Sequence, residues 1–115
     1  MTQRSDIPRI RHIVDAANLV LQWTAGVSWP DYQLNEQLQS AVTYQVQIIG
    51  EAASRMTAAT RAFYPAVVWR RIIGMRNIIV HEYMRVDPFL VWQVVQEHLP
   101  TLVESLSASE PPEPL

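Results

Sequence analysis

The chain has 115 residues, the size of one domain with a single hydrophobic core. Its hydrophobic fraction of 49% and charged fraction of 17% exclude an intrinsically disordered chain. The formal net charge of −2 excludes a generally basic surface, so any contact with nucleic acid must come from a local cluster of the nine basic residues, all of them arginine.

The chain contains no cysteine, which excludes disulfides, thiolate metal sites and a cysteine nucleophile. No apolar run is long enough to cross a bilayer. The N-terminal region carries Arg4, Asp6, Arg9 and Arg11 and lacks the apolar segment of a signal peptide. We therefore expect a soluble, cytoplasmic protein that does not bind a membrane.

The first predicted helix starts near Pro8. Its apolar residues follow the i, i+3, i+4, i+7 spacing of one helix face, at Ile10, Ile13, Val14, Ala17, Val20 and Leu21. The segment 26–35, which contains Trp29-Pro30-Asp31, breaks this pattern and is predicted to be a loop.

The second predicted helix starts at Asn35, a residue type favoured at the N-cap. Its stripe consists of Leu38, Ala41, Val42, Gln45, Ile48, Ile49, Ala52 and Met56. Gly50 lies in the same helix, and its missing side chain is expected to let another helix approach closely.

Two further helices are predicted in the second half of the chain. After a break at Tyr64-Pro65, the spacing of Trp69, Ile72, Ile73 and Val80 indicates a helix that reaches at least His81. Asp87-Pro88 is a typical helix start, with aspartate as N-cap and proline in the first turn. The inward residues of this last helix are Val91, Val94, Val95, Leu99, Leu102 and Leu106. Pro100 interrupts the pattern and predicts a kink or a break.

These elements predict an all-α fold, a four- to five-helix up-and-down bundle. The helical domain is expected to span residues 1–106. Residues 107–115 contain three prolines and no helical periodicity, and they are predicted to form a disordered tail.

The segment 74–83 holds the candidate site, with Arg76, Asn77, His81 and Tyr83 close together in sequence. On an ideal helix Asn77 and His81 share one face. Arg76 and Tyr83 share a neighbouring face, whereas Arg76 and His81 diverge by about 140°. A regular helix therefore does not bring all four groups to one point. Either the long side chain of Arg76 reaches round the helix and the last turn loosens at His81, or a second chain completes the site.

Arginine and histidine without a cluster of metal ligands suit metal-independent cleavage of RNA, in which the ribose 2′-OH attacks the adjacent phosphate. His81 could act as general base or acid, because histidine titrates near neutral pH. Arg76 could stabilise the charge of the transition state, and Asn77 could orient His81 or contact phosphate. The alternative is that Asn77 and His81 are ordinary polar residues at a helix end. His12 and His98 have no partner at ligand spacing, so no metal site is expected.

The pattern Arg76-Asn77-x-x-x-His81-x-Tyr83 resembles the R-x4-H-x-Y signature of HepT-like proteins in the HEPN superfamily. The similarity extends from about Arg9 to Leu106. Further segments that fall in family order are Ile48-Ile49-Gly50-Glu51-Ala52-Ala53, Tyr64-Pro65, Trp69-Arg70, Gly74-Met75-Arg76-Asn77 and Val86-Asp87.

The resemblance implies the toxin half of a type II-like toxin–antitoxin system, acting as a metal-independent endoribonuclease. Such toxins are homodimers in which two copies of the motif face one cleft. By position, the resemblance makes Arg76 and His81 the catalytic pair and Asn77 a supporting residue.

The resemblance also implies a partner and a modification. The partner is a minimal nucleotidyltransferase (MNT) antitoxin, which transfers AMP from ATP to the tyrosine of the motif, here Tyr83. AMP would add bulk and negative charge beside the phosphate site and so exclude RNA. The toxin itself would need no cofactor, since the partner uses the ATP.

Four further residues bear on RNA binding. Tyr44 stands where many relatives have a basic residue, which weakens the case for a wide basic groove, and Glu82 adds a negative charge beside the site. Arg70 and Arg71 precede the motif and could extend a phosphate-binding track; the alternative is that they are ordinary surface arginines.

Two structural assignments stay open at this point. Glu51 could pair with an arginine such as Arg55 or Arg76, or could simply be solvated. Trp69 and Trp92 could stack on nucleic-acid bases, but we expect them in the core or at a dimer seam.

Three functions are compatible with the sequence. The first is a dimeric endoribonuclease toxin, which the intact motif favours. The second is a non-catalytic HEPN partner that binds and assists a nucleotidyltransferase. The third is a helical interaction module with a degenerate site.

Overall fold

The computed structural model describes residues 2–83 and 85–111, with side chains from residue 6 onward, and over these residues all regular structure is helical. The described helices are α1 (Thr2–Thr24), α2 (Trp29–Leu34), α3 (Glu36–Arg55), α4 (Ala58–Ala62), α5 (Trp69–Glu82), α6 (Pro88–Glu97) and α7 (Leu99–Ala108). The predicted all-α class is confirmed. The long predicted helices correspond to α1, α3, α5 and the pair α6 and α7.

Helix α1 starts upstream of its predicted start and continues through Pro8. The reason is a tertiary contact, because Asp6 is fully buried and accepts hydrogen bonds from the N–H and hydroxyl of Thr57 at 2.9 and 3.1 Å. Arg9 pairs with the same carboxylate at 3.1 Å. Burial by itself would raise the pKa of Asp6, but the hydrogen bonds outweigh it and lower the pKa. The carboxylate thus ties α1 to the start of α4.

Two short helices occupy segments that the apolar pattern leaves outside the helices. In α2, the Ser28 hydroxyl caps the first turn by accepting a hydrogen bond from the Asp31 N–H at 3.3 Å. In α4, the Thr57 hydroxyl accepts one from the Thr60 N–H at 3.1 Å. The prediction of a loop over 26–35 is therefore wrong for the residues of α2 and correct around Gly26. Gly26 has a φ of +75° and lies in the turn that follows α1.

Helix α3 is central and packs against α1 on one side and α5 on the other. It starts as predicted, with the Asn35 side chain accepting a hydrogen bond from the Leu38 N–H at 3.0 Å. Gly50 lies where α3 and α5 are closest. A Cβ at this position would collide with the Cβ of Arg76 and lie 3.0 Å from the carbonyl oxygen of Ile72. The predicted packing role of Gly50 is confirmed.

The last predicted helix is divided into α6 and α7. Its start is confirmed, because the Asp87 carboxylate accepts a hydrogen bond from the Phe89 N–H at 2.9 Å. The break predicted from Pro100 is confirmed too: α6 ends at Glu97, and His98 separates it from α7. Proline fits the first turn of α7 because its nitrogen needs no helical partner there.

Trp92 belongs to the core, as predicted. Its ring lies 4.8 Å from that of the buried Tyr32 and 6.1 Å from that of Trp29. Burial raises the pKa of Tyr32 to about 12. Trp69 is half-buried and donates a hydrogen bond to the carbonyl of Arg61 at 2.9 Å. Both tryptophans are therefore held within the bundle.

The C-terminal segment predicted as a disordered tail from residue 107 is ordered as far as it is described. Helix α7 continues to Ala108, the Tyr64 hydroxyl donates a hydrogen bond to the carbonyl of Ser109 at 2.8 Å, and Glu110 pairs with Arg11 at 2.9 Å. These contacts with α1 and the α4–α5 connection fix the segment despite its polar composition. Residues 112–115 lie outside the described residues, and the domain boundary stays a prediction.

The buried apolar side chains of the long helices form one core. Its members include Ile10, Ile13, Ala17, Val20, Val42, Val46, Ile49, Ile72, Met75, Ile79, Val91, Val95, Leu99, Leu102 and Leu106. Among the described residues, no helix combines the length and the apolar character needed to cross a bilayer.

The contact at Gly50 generates a prediction about stability. Gly50→Ala should lower the free energy of unfolding by about 1–3 kcal/mol, because the added methyl forces α3 and α5 apart. Gly74→Ala is the matched control, since a Cβ at Gly74 meets nothing within 4 Å. It should be neutral or stabilise by up to about 1 kcal/mol through helix propensity. Urea unfolding followed by circular dichroism measures both, and equal effects would contradict the packing role.

Candidate functional site

Arg76 is positioned by the packing of α5 against α3. The close approach at Gly50 places the Arg76 side chain against α3. Its Nε donates a hydrogen bond to Oε1 of Glu51 at 2.8 Å, and Nη2 lies 2.7 Å from the same oxygen. The side chain is 29% exposed, so the guanidinium is fixed and still open to solvent.

Glu51 binds two arginines, which resolves the alternatives left by the sequence. Its Oε2 accepts from Nε and Nη2 of Arg55 at 3.3 Å, a longer contact than the one to Arg76. The hydrogen bond from Arg76, with a smaller contribution from Arg55, holds the pKa of Glu51 below its usual value. A carboxyl group whose pKa is lower in the folded than in the unfolded chain stabilises the fold at pH values above the unfolded pKa. This contribution is lost as the pH falls through the folded pKa. The ion pair between Glu51 and Arg76 is therefore intact at neutral pH.

Asn77 is attached to the same arginine. Its Oδ1 accepts a hydrogen bond from Nη1 of Arg76 at 3.0 Å. A guanidinium has five N–H donors, and the contacts of Nε and Nη2 with Glu51 and of Nη1 with Asn77 leave donors for a further acceptor. The arrangement suits a phosphate oxygen, which would meet a cation whose orientation is already set.

His81 lies on a different face of α5 from Arg76. The helix is regular through Glu82, so the last turn does not loosen at His81 as one sequence interpretation required. The two side chains therefore keep the divergence of about 140° expected for positions five apart. His81 is exposed, and no hydrogen bond within the described residues joins it to Arg76. One chain does not bring the predicted pair together.

The exposed face of α5 carries the remaining motif residues. Arg70, Asn77 and His81 are spaced i, i+7 and i+11 and form one exposed stripe. Ile78 and Val80 flank this stripe and are also exposed. The exposed face of α5 therefore offers both polar and apolar side chains to a contacting molecule.

Tyr83 caps the C-terminus of α5 and is 74% exposed. It borders a groove of about 730 Å³ between α3 and the end of α5, with Ser40, Thr43 and Gln47 on the α3 side. Among the residues that the structure describes, Glu36 is the only charged side chain that lines this groove.

Arg70 and Arg71 are exposed in the first turns of α5. Both line a groove of about 430 Å³ between α5 and α6, in which Glu97 provides an opposing charge. Among the described residues, no group of three or more His, Cys, Asp or Glu side chains is arranged to hold a metal ion.

The structure has a groove between α1 and α3 that the sequence pattern did not predict. Tyr44, Ile48, Glu51 and Arg55 line it and are spaced i, i+4, i+7 and i+11, which places them on one face of α3. This spacing was visible in the sequence. It was missed because the buried stripe of the same helix dominates the pattern.

Comparisons with known proteins agree with the motif. The family model described as "Ribonuclease HepT-like" matches residues 13–108. A Methanocaldococcus jannaschii protein named "Putative RNase MJ1380" is 30% identical over 102 residues, which cover 89% of this chain and 94% of the relative. "Probable ribonuclease HepT" of Thermococcus cleftensis is 29% identical over 100 residues, 87% of this chain and 91% of the relative.

A third relative, "Putative RNase TTE0752" of Caldanaerobacter subterraneus, is 28% identical over 95 residues, 83% of this chain and 85% of the relative. No solved structure matches the chain. Together with the all-α fold, the family match over residues 13–108 shows that the chain belongs to the ribonuclease HepT-like family of the HEPN superfamily.

Proposed function

We propose that the chain is a metal-independent endoribonuclease that acts as a homodimer. The observation that supports this best is the fixed but exposed guanidinium of Arg76, held by Glu51 and Asn77 on the helix that also carries His81. The names of the relatives, each a ribonuclease by its description, point in the same direction.

The chemistry assigns one role to each residue. His81 accepts the proton of the ribose 2′-OH as that oxygen attacks the adjacent phosphorus, or donates a proton to the leaving 5′-oxygen. Arg76 stabilises the negative charge that accumulates on the phosphate oxygens. Asn77 keeps the guanidinium oriented through its 3.0 Å hydrogen bond. These steps require no metal ion.

The geometry of α5 supports the proposed dimer. Because Arg76 and His81 diverge, a second copy of the chain is needed to face them across one cleft and to supply a second histidine. A general acid and a general base are then both available. The exposed Ile78 and Val80 beside the polar stripe provide apolar area for such a contact.

RNA would enter along arginines outside the motif. Arg70 lies on the same exposed stripe as Asn77 and His81, and Arg71 lines the adjacent groove. We assign both to contacts with phosphates beyond the cleavage site.

We further propose that the activity is controlled by an MNT antitoxin in the cytoplasm. That nucleotidyltransferase would transfer AMP from ATP to the hydroxyl of Tyr83, with release of pyrophosphate. Tyr83 is 74% exposed, and the groove of about 730 Å³ beside it leaves room for a nucleotide. The added phosphate would repel RNA from the cleft. The chain would thus be the toxin of a toxin–antitoxin pair.

The ribonuclease proposal is tested by His81→Ala. The purified variant should cleave RNA at a rate lower by roughly 10²–10⁴-fold, and its expression alone should no longer arrest growth. Cleavage by the wild-type chain should persist in EDTA. Leu34→Ala, which alters a side chain that is 85% exposed and lines none of the grooves described above, is the control and should retain activity. Growth arrest and cleavage that persist in His81→Ala, at equal expression and with an unchanged urea midpoint, would contradict the proposal.

The modification proposal is tested by intact mass after incubation with the nucleotidyltransferase and ATP. The wild-type chain should gain the mass of one or more AMP groups, and Tyr83→Phe should gain none. Tyr44→Phe is the matched control, because Tyr44 is another exposed tyrosine that lines the same groove. An adduct that survives Tyr83→Phe would exclude Tyr83 as the acceptor.

A further inference from the structure

A second groove adjoins the arginine of the motif on the other side of α3. It has a volume of about 540 Å³ and lies between α1 and α3. Helix α3 contributes Tyr44, Glu51 and Arg55, and α1 contributes Arg9 and His12. Glu51 is shared with the site, because its other oxygen holds Arg76. Through Glu51, the groove therefore adjoins Arg76, the predicted phosphate-binding arginine.

Tyr44 gives this groove an aromatic surface. Its side chain is 61% exposed, and no aromatic ring among the described residues packs on it. Ile48 and Ala52 form the apolar floor between Tyr44 and Glu51. An exposed ring above an apolar floor suits a planar nucleobase, which stacks without a requirement for sequence.

Arg55 gives the groove a cation that can be recruited. Its side chain is 63% exposed, and its contacts with Glu51 are 3.3 Å long, compared with 2.7 and 2.8 Å for Arg76. An exposed ion pair of this length contributes little stability. A phosphate can therefore draw Arg55 away while Glu51 continues to hold Arg76.

The charges distinguish this groove from the one beside Tyr83. The α1–α3 groove has Arg9, which pairs with Asp6, as well as Arg55, and the carboxylate of Glu51 on its wall is shared by two arginines. In the described part of the groove beside Tyr83, the only charged lining residue is Glu36. An RNA strand that leaves Arg76 is therefore favoured on the α1 side of α3.

We propose that the α1–α3 groove binds the nucleotide next to the two that the cleaved phosphate joins, with its base stacked on Tyr44 and its phosphate bound by Arg55. This inference rests on the proposed ribonuclease function and assigns to it a substrate-binding subsite. The subsite explains how a chain with a net charge of −2 holds RNA through local contacts. It also gives a role to Tyr44, because an aromatic ring can stack on a base, whereas a basic side chain at this position would contact only phosphate.

The experiment compares two substrates of different length. One is an RNA oligonucleotide that the wild-type chain cleaves at one mapped position, and the other is the dinucleoside monophosphate that contains only that position. Tyr44→Ala should raise KM for the oligonucleotide on the order of tenfold and leave cleavage of the dinucleotide unchanged. Tyr44→Phe should behave as wild type, because it keeps the ring. Leu34→Ala, which alters a side chain that is 85% exposed and lies outside the groove, is the control for surface changes.

The second measurement locates the RNA directly. The His81→Ala variant is irradiated with the same oligonucleotide carrying 4-thiouridine at the nucleotide next to the two that the cleaved phosphate joins. Crosslinks should map to the peptide that contains His12 as well as to the one that contains Tyr44, because Tyr44 borders both grooves and His12 lines the α1–α3 groove. Crosslinks confined to α5 and α6 would overturn the proposal, and they would leave the groove to another occupant such as a helix of a protein partner.

The outcomes separate this inference from the function on which it rests. If the wild-type chain cleaves neither substrate, the ribonuclease proposal fails. If it cleaves the oligonucleotide and Tyr44→Ala affects both substrates equally or neither, the ribonuclease proposal stands and the subsite is wrong.

Discussion

The close contact between α3 and α5 at Gly50 is the constraint on which the site depends. Only glycine lets the two helices approach this far, because any Cβ would collide with that of Arg76. The approach brings Arg76 within 2.7–2.8 Å of Glu51, the residue that follows Gly50 in the chain. Packing thus sets the position of the backbone, and the carboxylate sets the direction of the guanidinium. A long, flexible side chain is ordered before any phosphate arrives, so less conformational entropy is lost on binding.

The electrostatics of the site follow from the sharing of one carboxylate by two arginines. Glu51 has a pKa below its usual value, chiefly because Arg76 donates a hydrogen bond to it. Two guanidinium groups and one carboxylate leave a local positive charge on a chain whose formal net charge is −2. Positive potential is therefore concentrated around α3 and the adjoining face of α5 and need not cover the surface. Such a local site favours specific contacts over the general adhesion of a basic protein.

Periodic packing and helix caps were predictable from the sequence, and contacts between distant segments were not. The buried stripes, the caps at Asn35 and Asp87 and the break at Pro100 depend on neighbouring residues, so the pattern identifies them. The extension of α1 through Pro8 depends on Asp6 meeting Thr57, 51 residues away, and no local pattern encodes that contact. For the site, the motif predicts the residues, and the divergence of Arg76 and His81 follows from the regularity of α5 through His81. Short helices such as α2 lie below the length at which periodicity is informative.

One chain holds an ordered Arg76 but presents His81 on another face, and for this reason we propose that the ribonuclease site is formed by two copies. The most direct measurement is the activity of mixed dimers, prepared by co-expressing the wild-type chain with differently tagged His81→Ala and purifying the heterodimer through both tags. The heterodimer should have much less than half the activity of the wild-type dimer, because the one cleft of the proposed dimer then lacks one of its two histidines. A heterodimer with half the wild-type activity, or a wild-type chain that remains fully active as a monomer, would contradict the account.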